Sequence, residues 1–211
     1  MRRAEFSPAS LRLYAITGRF GPEGRSLGET AAAVLRGGAT MLQLREKHAA
    51  PEALAAAAKE LKALAAGFGV PFIINDDVEA ACLADADGVH LGRGDMAPDA
   101  ARARLGAGKI IGASARTVAQ ALEAEALGAD YIGAGAVFAT ATKPDAAAVA
   151  LDTLRDICRT VRVPVVAIGG INASNAGLLR GSGIKGIAVV SALFAAADPE
   201  AAARELLRDW E

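Results

Sequence analysis

Short apolar runs rich in β-branched residues recur eight times along the chain, at Leu11–Thr17, Ala39–Arg45, Pro71–Asp76, Asp87–Gly92, Lys109–Ala115, Asp130–Phe138, Val163–Gly170 and Lys185–Leu193. Segments of helical period lie between them, such as "PEALAAAAKELKALAAGFG", "TVAQALEAEALGAD" and "LDTLRDICRTVR". Strands that are apolar on both faces and separated by helices must pair in parallel through right-handed crossovers, with helices covering the sheet. Eight such units in 211 residues fit a compact (β/α)8 TIM barrel. A doubly wound open sheet is the competing arrangement. No linker or low-complexity break divides the chain. Residues 1–211 are therefore expected to form one barrel domain, with 1–10 entering as an extended or helical segment.

Local signals agree with this reading. "GGAT", "GFGVP" and "LGADY" place a glycine where a helix stops and a short loop leads into a strand. Asp198 and Pro199 read as the N-cap and first residue of a closing helix. Aromatic residues make up 4% of the chain although 53% is hydrophobic, so the core must be built from Ala, Val, Leu and Ile. A net charge of -1, spread without a basic run, argues against nucleic acid or an anionic membrane as partner. No stretch approaches the ~18 apolar residues of a membrane span. "MRRAEFSPAS" has no apolar signal-peptide core. A cytoplasmic protein acting on small molecules is expected, and the composition permits a homodimer without requiring one. Cys82 and Cys158 read as two buried thiols rather than a disulfide.

In such a barrel the chemistry belongs at the C-terminal ends of the strands. Polar residues gather there: Gln43, Arg45 and Lys47 after the second run; Asn75, Asp76 and Asp77 after the third; Asp95 after the fourth. Ser114 follows the fifth, Thr140, Thr142 and Lys143 the sixth, glycines the seventh and Ser191 the eighth. The strand starts read as plain. Arg45, Lys47 and Lys143 are suited to polyanionic oxygens. Asp76 and Asp95 are hard oxygen donors of the kind that hold Mg²⁺ beside a phosphate-rich ligand. Gly170 and the small residues near Ser191 expose backbone N–H groups for a monophosphate. The set predicts a site for a metal-bound diphosphate and a separate monophosphate.

Other candidates read as structural. Asp77 is expected to cap the following helix, and His90 to be a satisfied core histidine. His48 and His90 are too few and too far apart for a metal cluster. "GAGK", Gly106–Lys109, lacks the P-loop pattern and reads as a turn; the glycines of "GAGAV" relieve crowding in a narrow barrel.

The stretches "LYAIT", "GGATMLQLREK", "IINDDVEAACLADADGVHLGRGD", "IGASARTVAQALEAEALGADYIGAGAVFATATK", "VPVVAIGGI" and "KGIAVVSALF" resemble thiamine-phosphate synthases in order and spacing, from Leu11 onward. The resemblance implies a TIM barrel joining 4-amino-2-methyl-5-hydroxymethylpyrimidine diphosphate to a thiazole phosphate, with release of pyrophosphate. It implies pyrimidine-diphosphate contacts at Gln43, Arg45, Lys47 and Asn75, with Leu44 and Glu46 beside them in the same stretch. Asp76 and Asp95 are similar to the Mg²⁺ ligands, Ser114 to a serine beside the pyrimidine, and Lys143 to a lysine on the diphosphate. Thr140, Ala141, Thr142, Gly170, Val190 and Ser191 match the thiazole-phosphate cradle. Arg45, Ser114 and Lys143 are thereby the implied catalytic residues. The chain departs from the family at Ala139 for a proline, Ala150 for a glycine, Gly18 for an aspartate and Arg116 for a histidine. Competing readings are the related thiazole tautomerases, a non-catalytic phosphate-binding barrel and a sugar-phosphate isomerase.

Overall fold

A computed structural model describes residues 6–18, 25–46, 51–140 and 149–210. Its strands are β1 (Leu13–Ile16), β2 (Met41–Leu44), β3 (Phe72–Asn75), β4 (Gly88–Leu91), β5 (Ile110–Ala115), β6 (Tyr131–Gly135), β7 (Val165–Ile168) and β8 (Gly186–Val189). All eight pair in parallel with their sequence neighbours, and β1 also pairs with β8, closing the barrel. The (β/α)8 expectation holds. The helices are α1 (Leu27–Arg36), α2 (Pro51–Phe68), α3 (Val78–Leu83), α4 (Pro98–Leu105), α5 (Val118–Ala126), α6 (Leu151–Thr160), α7 (Ser191–Phe194) and α8 (Pro199–Trp210).

The strand pleat sorts residues into two cores, because successive side chains point to opposite faces. Leu13, Leu42, Ile74, Val89, Ile111, Ile132, Val165 and Ile187 face the helices in one buried cluster. Tyr14, Met41, Ile73, Ile110, Tyr131, Val166 and Ala188 fill the lumen in another, and Phe6 packs against its Tyr131 end. Each large aliphatic side chain buried this way contributes about 1.5–3 kcal/mol. α6 shows the helix side of the bargain, with Leu154 and Ile157 buried against the barrel.

Local chemistry sets the boundaries. Ser26 and Glu29 form a capping box that starts α1. Gly38, Gly69 and Gly128 take positive φ after α1, α2 and α5, as their motifs predicted. Asp198 accepts from the Ala201 N–H at 3.0 Å and caps α8.

Several expectations need correction. β8 ends at Val189, and the polar step at Ser191 opens the short α7 instead of extending the strand. β6 stops at Gly135, short of Phe138. The seventh crossover carries a 3₁₀ turn, Ala176–Leu179, in a glycine-containing stretch too short for a full helix. Cys82 is exposed on the outer side of α3, beside exposed Leu83; both cysteines are free thiols. Nor are the strand starts plain. Asp87 accepts from the Phe72 N–H at 2.8 Å, and Asp130 accepts from the Ile111 N–H and from Arg102, both at 2.7 Å. These polar groups bind one another and the strand backbone. The groups at the opposite rim face a cavity.

Candidate active site

The last lumen-facing positions of β2, β3 and β5 carry Gln43, Asn75 and Ser114 in place of aliphatic residues, so the lumen opens into a cavity of about 350 Å³. Of the predicted residues, Gln43, Arg45, Asn75, Asp76, Ser114, Thr140, Gly170, Val190 and Ser191 all line it. Six strand ends thus converge on one space. Lys47, Ala141, Thr142 and Lys143 lie outside the described residues. Leu44 requires correction: strand parity turns its side chain into the helix-facing core, where it is 1% exposed. Glu46 follows β2 half-buried and is not among the residues lining the cavity.

Backbone geometry separates the two adjacent aspartates. Asp76 has φ 64°, a left-handed conformation that short polar side chains tolerate better than most, and its N–H donates to the His90 carbonyl at 2.8 Å. The chain reverses there. Asp77 consequently falls at the N-cap of α3, accepting from the Ala80 N–H at 2.8 Å, as expected of it. The Asp76 carboxylate is left at the cavity.

Asp95 meets it from the neighbouring loop. Its Oδ2 accepts from the Gly92 N–H at 2.6 Å. A Cβ built on Gly92 would sit 2.9 Å from that oxygen and 3.9 Å from Asp76 Oδ1, so both carboxylates flank the same glycine. Two hard anionic donors beside an open, phosphate-sized space suit Mg²⁺, which prefers a few carboxylates and fills its remaining positions with water and phosphate oxygens. Among the described residues no group of three or more His, Cys, Asp or Glu forms a closed metal cage. The residues fit an ion shared with a ligand.

Arg45 is held from behind. Thr17, fully buried after β1, accepts from the Arg45 N–H at 2.9 Å and donates its hydroxyl to the Arg45 carbonyl at 3.4 Å. Arg93 and Arg116 also line the cavity, making three guanidinium groups where sequence reading had assigned one. Arg93 was legible in "GRGD", between Gly92 and the Asp95 that accepts from its N–H.

The other wall is backbone-rich. Gly169 and Gly170 take φ 105° and 65°, and a Cβ on Gly170 would lie 2.3 Å from the Ala139 carbonyl oxygen. That close approach presses the start of the Thr140 loop onto the turn after β7. Val190 and Ser191 complete this side, where the first turn of α7 begins; initial helical N–H groups lack intrahelical acceptors. Asp76 and the arginines thus line one part of the cavity, with Asp95 in the cleft adjoining it at Gly92 and Arg93, and glycine backbone lines another.

Beneath both lies a line of polar side chains. The Gln43 amide donates to the Tyr14 hydroxyl, Tyr14 and Tyr131 hydroxyls lie 2.9 Å apart, and Tyr131 is 3.0 Å from His90 Nδ1. His90 Nε2 is 3.0 Å from Ser114 Oγ. Burial pushes both phenols well above the ordinary tyrosine range, so they stay protonated. The expectation for His90 was half right: it is a satisfied core histidine, 9% exposed, yet its ring also lines the cavity. Sequence reasoning missed this; the available signal was strand parity, which puts His90 on the same face as Gly88 and inside the barrel.

Comparison with known proteins places these features in context. Residues 13–193 match the family model described as Thiamine monophosphate synthase. The chain is 50% identical over 196 residues to a thiamine-phosphate synthase of Chloroflexus aurantiacus, covering 92% of this chain and 90% of that one. It is 45% identical over 195 residues to a thiamine-phosphate synthase of Ruminiclostridium cellulolyticum, covering 92% and 93%. Among solved structures, a thiamine phosphate pyrophosphorylase from Pyrococcus furiosus superposes with TM-score 0.88 at 42% identity, covering 96% of each chain.

Proposed function

The chain belongs to the thiamine monophosphate synthase family, and from that membership we propose that its cavity joins 4-amino-2-methyl-5-hydroxymethylpyrimidine diphosphate to a thiazole phosphate, giving thiamine phosphate and pyrophosphate. The observation that carries this reading is the two-sided cavity: Asp76, Arg45 and Arg93 line one side, with Asp95 next to them in the adjoining cleft across Gly92, and Gly170, Val190 and Ser191 line the other. One substrate brings a diphosphate and the other a monophosphate.

The reaction asks little of a base. The pyrimidine 4-amino group pushes electron density toward the methylene carbon, and the C–O bond breaks with its electron pair leaving on pyrophosphate. The thiazole nitrogen then donates its lone pair to that carbon, forming the new C–N bond. The protein's tasks are to stabilise the departing charge and to keep the nucleophile in line. Arg45, anchored by Thr17, binds diphosphate oxygens, with Arg93 and the cations Lys47 and Lys143 assigned to the same end. Asp76 and Asp95 would hold Mg²⁺, which when bound offsets negative charge on the diphosphate. Ser114 contacts the pyrimidine. Ile16, Ile168 and Ile171 give the cavity an apolar lining that limits water around an electron-poor carbon. Thr140, Thr142, Gly170 and Ser191 seat the thiazole phosphate.

A thiazole tautomerase is the nearest alternative; it needs a histidine near Arg116 and no carboxylate pair, whereas this chain has the pair and an arginine. We place the protein in the cytoplasm as a single domain over 1–211; among the described residues no helix is long and apolar enough to cross a membrane.

Pyrophosphate release, followed with both substrates while Mg²⁺ is titrated, tests the reading. Release should rise with Mg²⁺ and vanish with chelator. Asp76→Asn and Asp95→Asn should each lower turnover about a hundredfold, as removal of a charge-stabilising group does. Release indifferent to metal and to both substitutions would overturn it.

A further inference from the structure

Gln43, Tyr14, Tyr131, His90 and Ser114 come from β2, β1, β6, β4 and β5, and their hydrogen bonds form one continuous line across the lumen. The line joins two residues of the pyrimidine end from strands three apart in the barrel wall. Its direction follows from counting protons. The Gln43 amide nitrogen can only donate, so the Tyr14 oxygen accepts from it. Tyr14 is 1% exposed, and its remaining neighbour in the line is Tyr131. If Tyr131 donated to Tyr14, the Tyr14 proton would be buried without an acceptor, an arrangement that proteins avoid. Tyr14 therefore donates to Tyr131, and Tyr131 to His90 Nδ1. The imidazole proton is left on Nε2, facing Ser114.

We propose that Tyr14, Tyr131 and His90 are positioning residues, a one-way hydrogen-bond relay that fixes His90 as the Nε2–H tautomer and turns the Ser114 hydroxyl hydrogen into the cavity. With its oxygen accepting from His90, Ser114 presents a donor, matched to an acceptor such as a ring nitrogen of the pyrimidine. The relay makes that end selective for a heteroaromatic ring with an acceptor facing Ser114. This last assignment rests on the reaction proposed above; the tautomer does not.

The surroundings are built for the line. A Cβ on Gly112 would fall 2.1 Å from Tyr131 Cζ, and one on Gly133 would fall 2.9 Å from His90 Cε1. Both glycines clear space for the rings. Tyr14 meets Tyr131 edge-on, with centroids 6.0 Å apart and planes at 74°, and His90 lies over Tyr131 at 5.5 Å. Such packing fixes the rings against one another.

The test is long-range proton–nitrogen NMR of the imidazole nitrogens in isotopically labelled full-length protein at neutral pH. The chain has 2 histidines, so a His48→Gln variant assigns His90. Free wild-type protein should show one Nε2–H tautomer. Tyr131→Phe should give a mixture of tautomers and lower kcat/KM for the pyrimidine diphosphate roughly tenfold, the scale of one lost hydrogen bond. KM for the thiazole phosphate should hold, which a general loss of structure would not produce. Tyr14→Phe should keep the Nε2–H tautomer, because Tyr131 still donates. An Nδ1–H tautomer in the wild type would mean that the line runs from Ser114 to a Gln43 carbonyl, and would overturn the proposal; so would a doubly protonated ring, or a tautomer indifferent to Tyr131→Phe. The expected tautomer pattern without any pyrophosphate release would support the relay and count against the reaction.

Discussion

At the residue scale, Thr17 shows how a buried side chain that does not line the cavity shapes the site. Its hydroxyl accepts from the Arg45 N–H and donates to the Arg45 carbonyl, so the arginine leaves β2 along a fixed path. Thr17→Val keeps the volume and removes the acceptor, leaving a partly buried N–H without its partner. Urea unfolding should show a loss of about 1–3 kcal/mol, and KM for the diphosphate substrate should rise. The Asp76–Asp77 pair shows what a sequence can and cannot say about single residues. That one aspartate caps α3 and the other serves the cavity was legible, because an N-cap precedes a helical period. Leu44 was misplaced because position in a motif says nothing of strand parity, and parity turns it outward. The line from Tyr14 to Tyr131 spans 117 positions and two non-adjacent strands; no local pattern encodes it. For Lys143, assigned to the diphosphate, Lys143→Ala should lower turnover far more than it weakens thiazole-phosphate binding measured by calorimetry. Equal losses would mean that the lysine serves the monophosphate.

At the scale of elements, strand–helix alternation carried the architecture, since buried parallel strands and amphipathic helices leave distinct periods. It failed where a crossover carries no full helix, in the glycine-containing seventh unit, and where β8 passes into α7 with only Ser191 interrupting the apolar run. The turn after β7 can be tested directly. Gly170 combines φ 65° with a contact that excludes a Cβ. Gly170→Ala should destabilise the fold by about 1–3 kcal/mol and raise KM for the thiazole phosphate, because the loop at Thr140 must move away. At the other end of the barrel, Asp85 joins α2 to the start of β5 through Lys62 at 2.9 Å and Lys109 at 2.6 Å. The Lys109 hydrogen bond, then that of Lys62, holds the Asp85 carboxyl far below the usual carboxylate range. A depressed folded pKa means that the stabilisation is present above the unfolded value of about 3.9 and is lost as pH falls through the folded value. The carboxylate is 64% exposed, so solvent screening limits the contribution to about 1 kcal/mol or less. Asp85→Asn should lower Tm by about 2–4 °C near neutral pH, and the gap should close progressively in acid below about pH 4.

At the scale of the molecule, the barrel divides its polar residues between its two ends. At the strand starts, Asp85, Asp87 and Asp130 are bonded to backbone and to Lys62, Lys109 and Arg102, which ties those elements together. At the strand ends, arginines, carboxylates and glycine backbone surround a cavity of about 350 Å³. The small lumen side chains Gly112, Gly133 and Ala188 leave room for the tyrosines and His90, which form the floor between them. The low aromatic content therefore has a use: two of the few aromatic residues stand where they support the site. The central claim is that one cavity holds both substrates and couples them. Phosphorus NMR of both substrates with enzyme and Mg²⁺ measures this directly, because thiamine phosphate and pyrophosphate give separate signals. The account predicts that the two appear together, one for one, and that omitting either substrate abolishes the joint formation. Conversion of the thiazole phosphate alone, or pyrophosphate formed without thiamine phosphate, would contradict it.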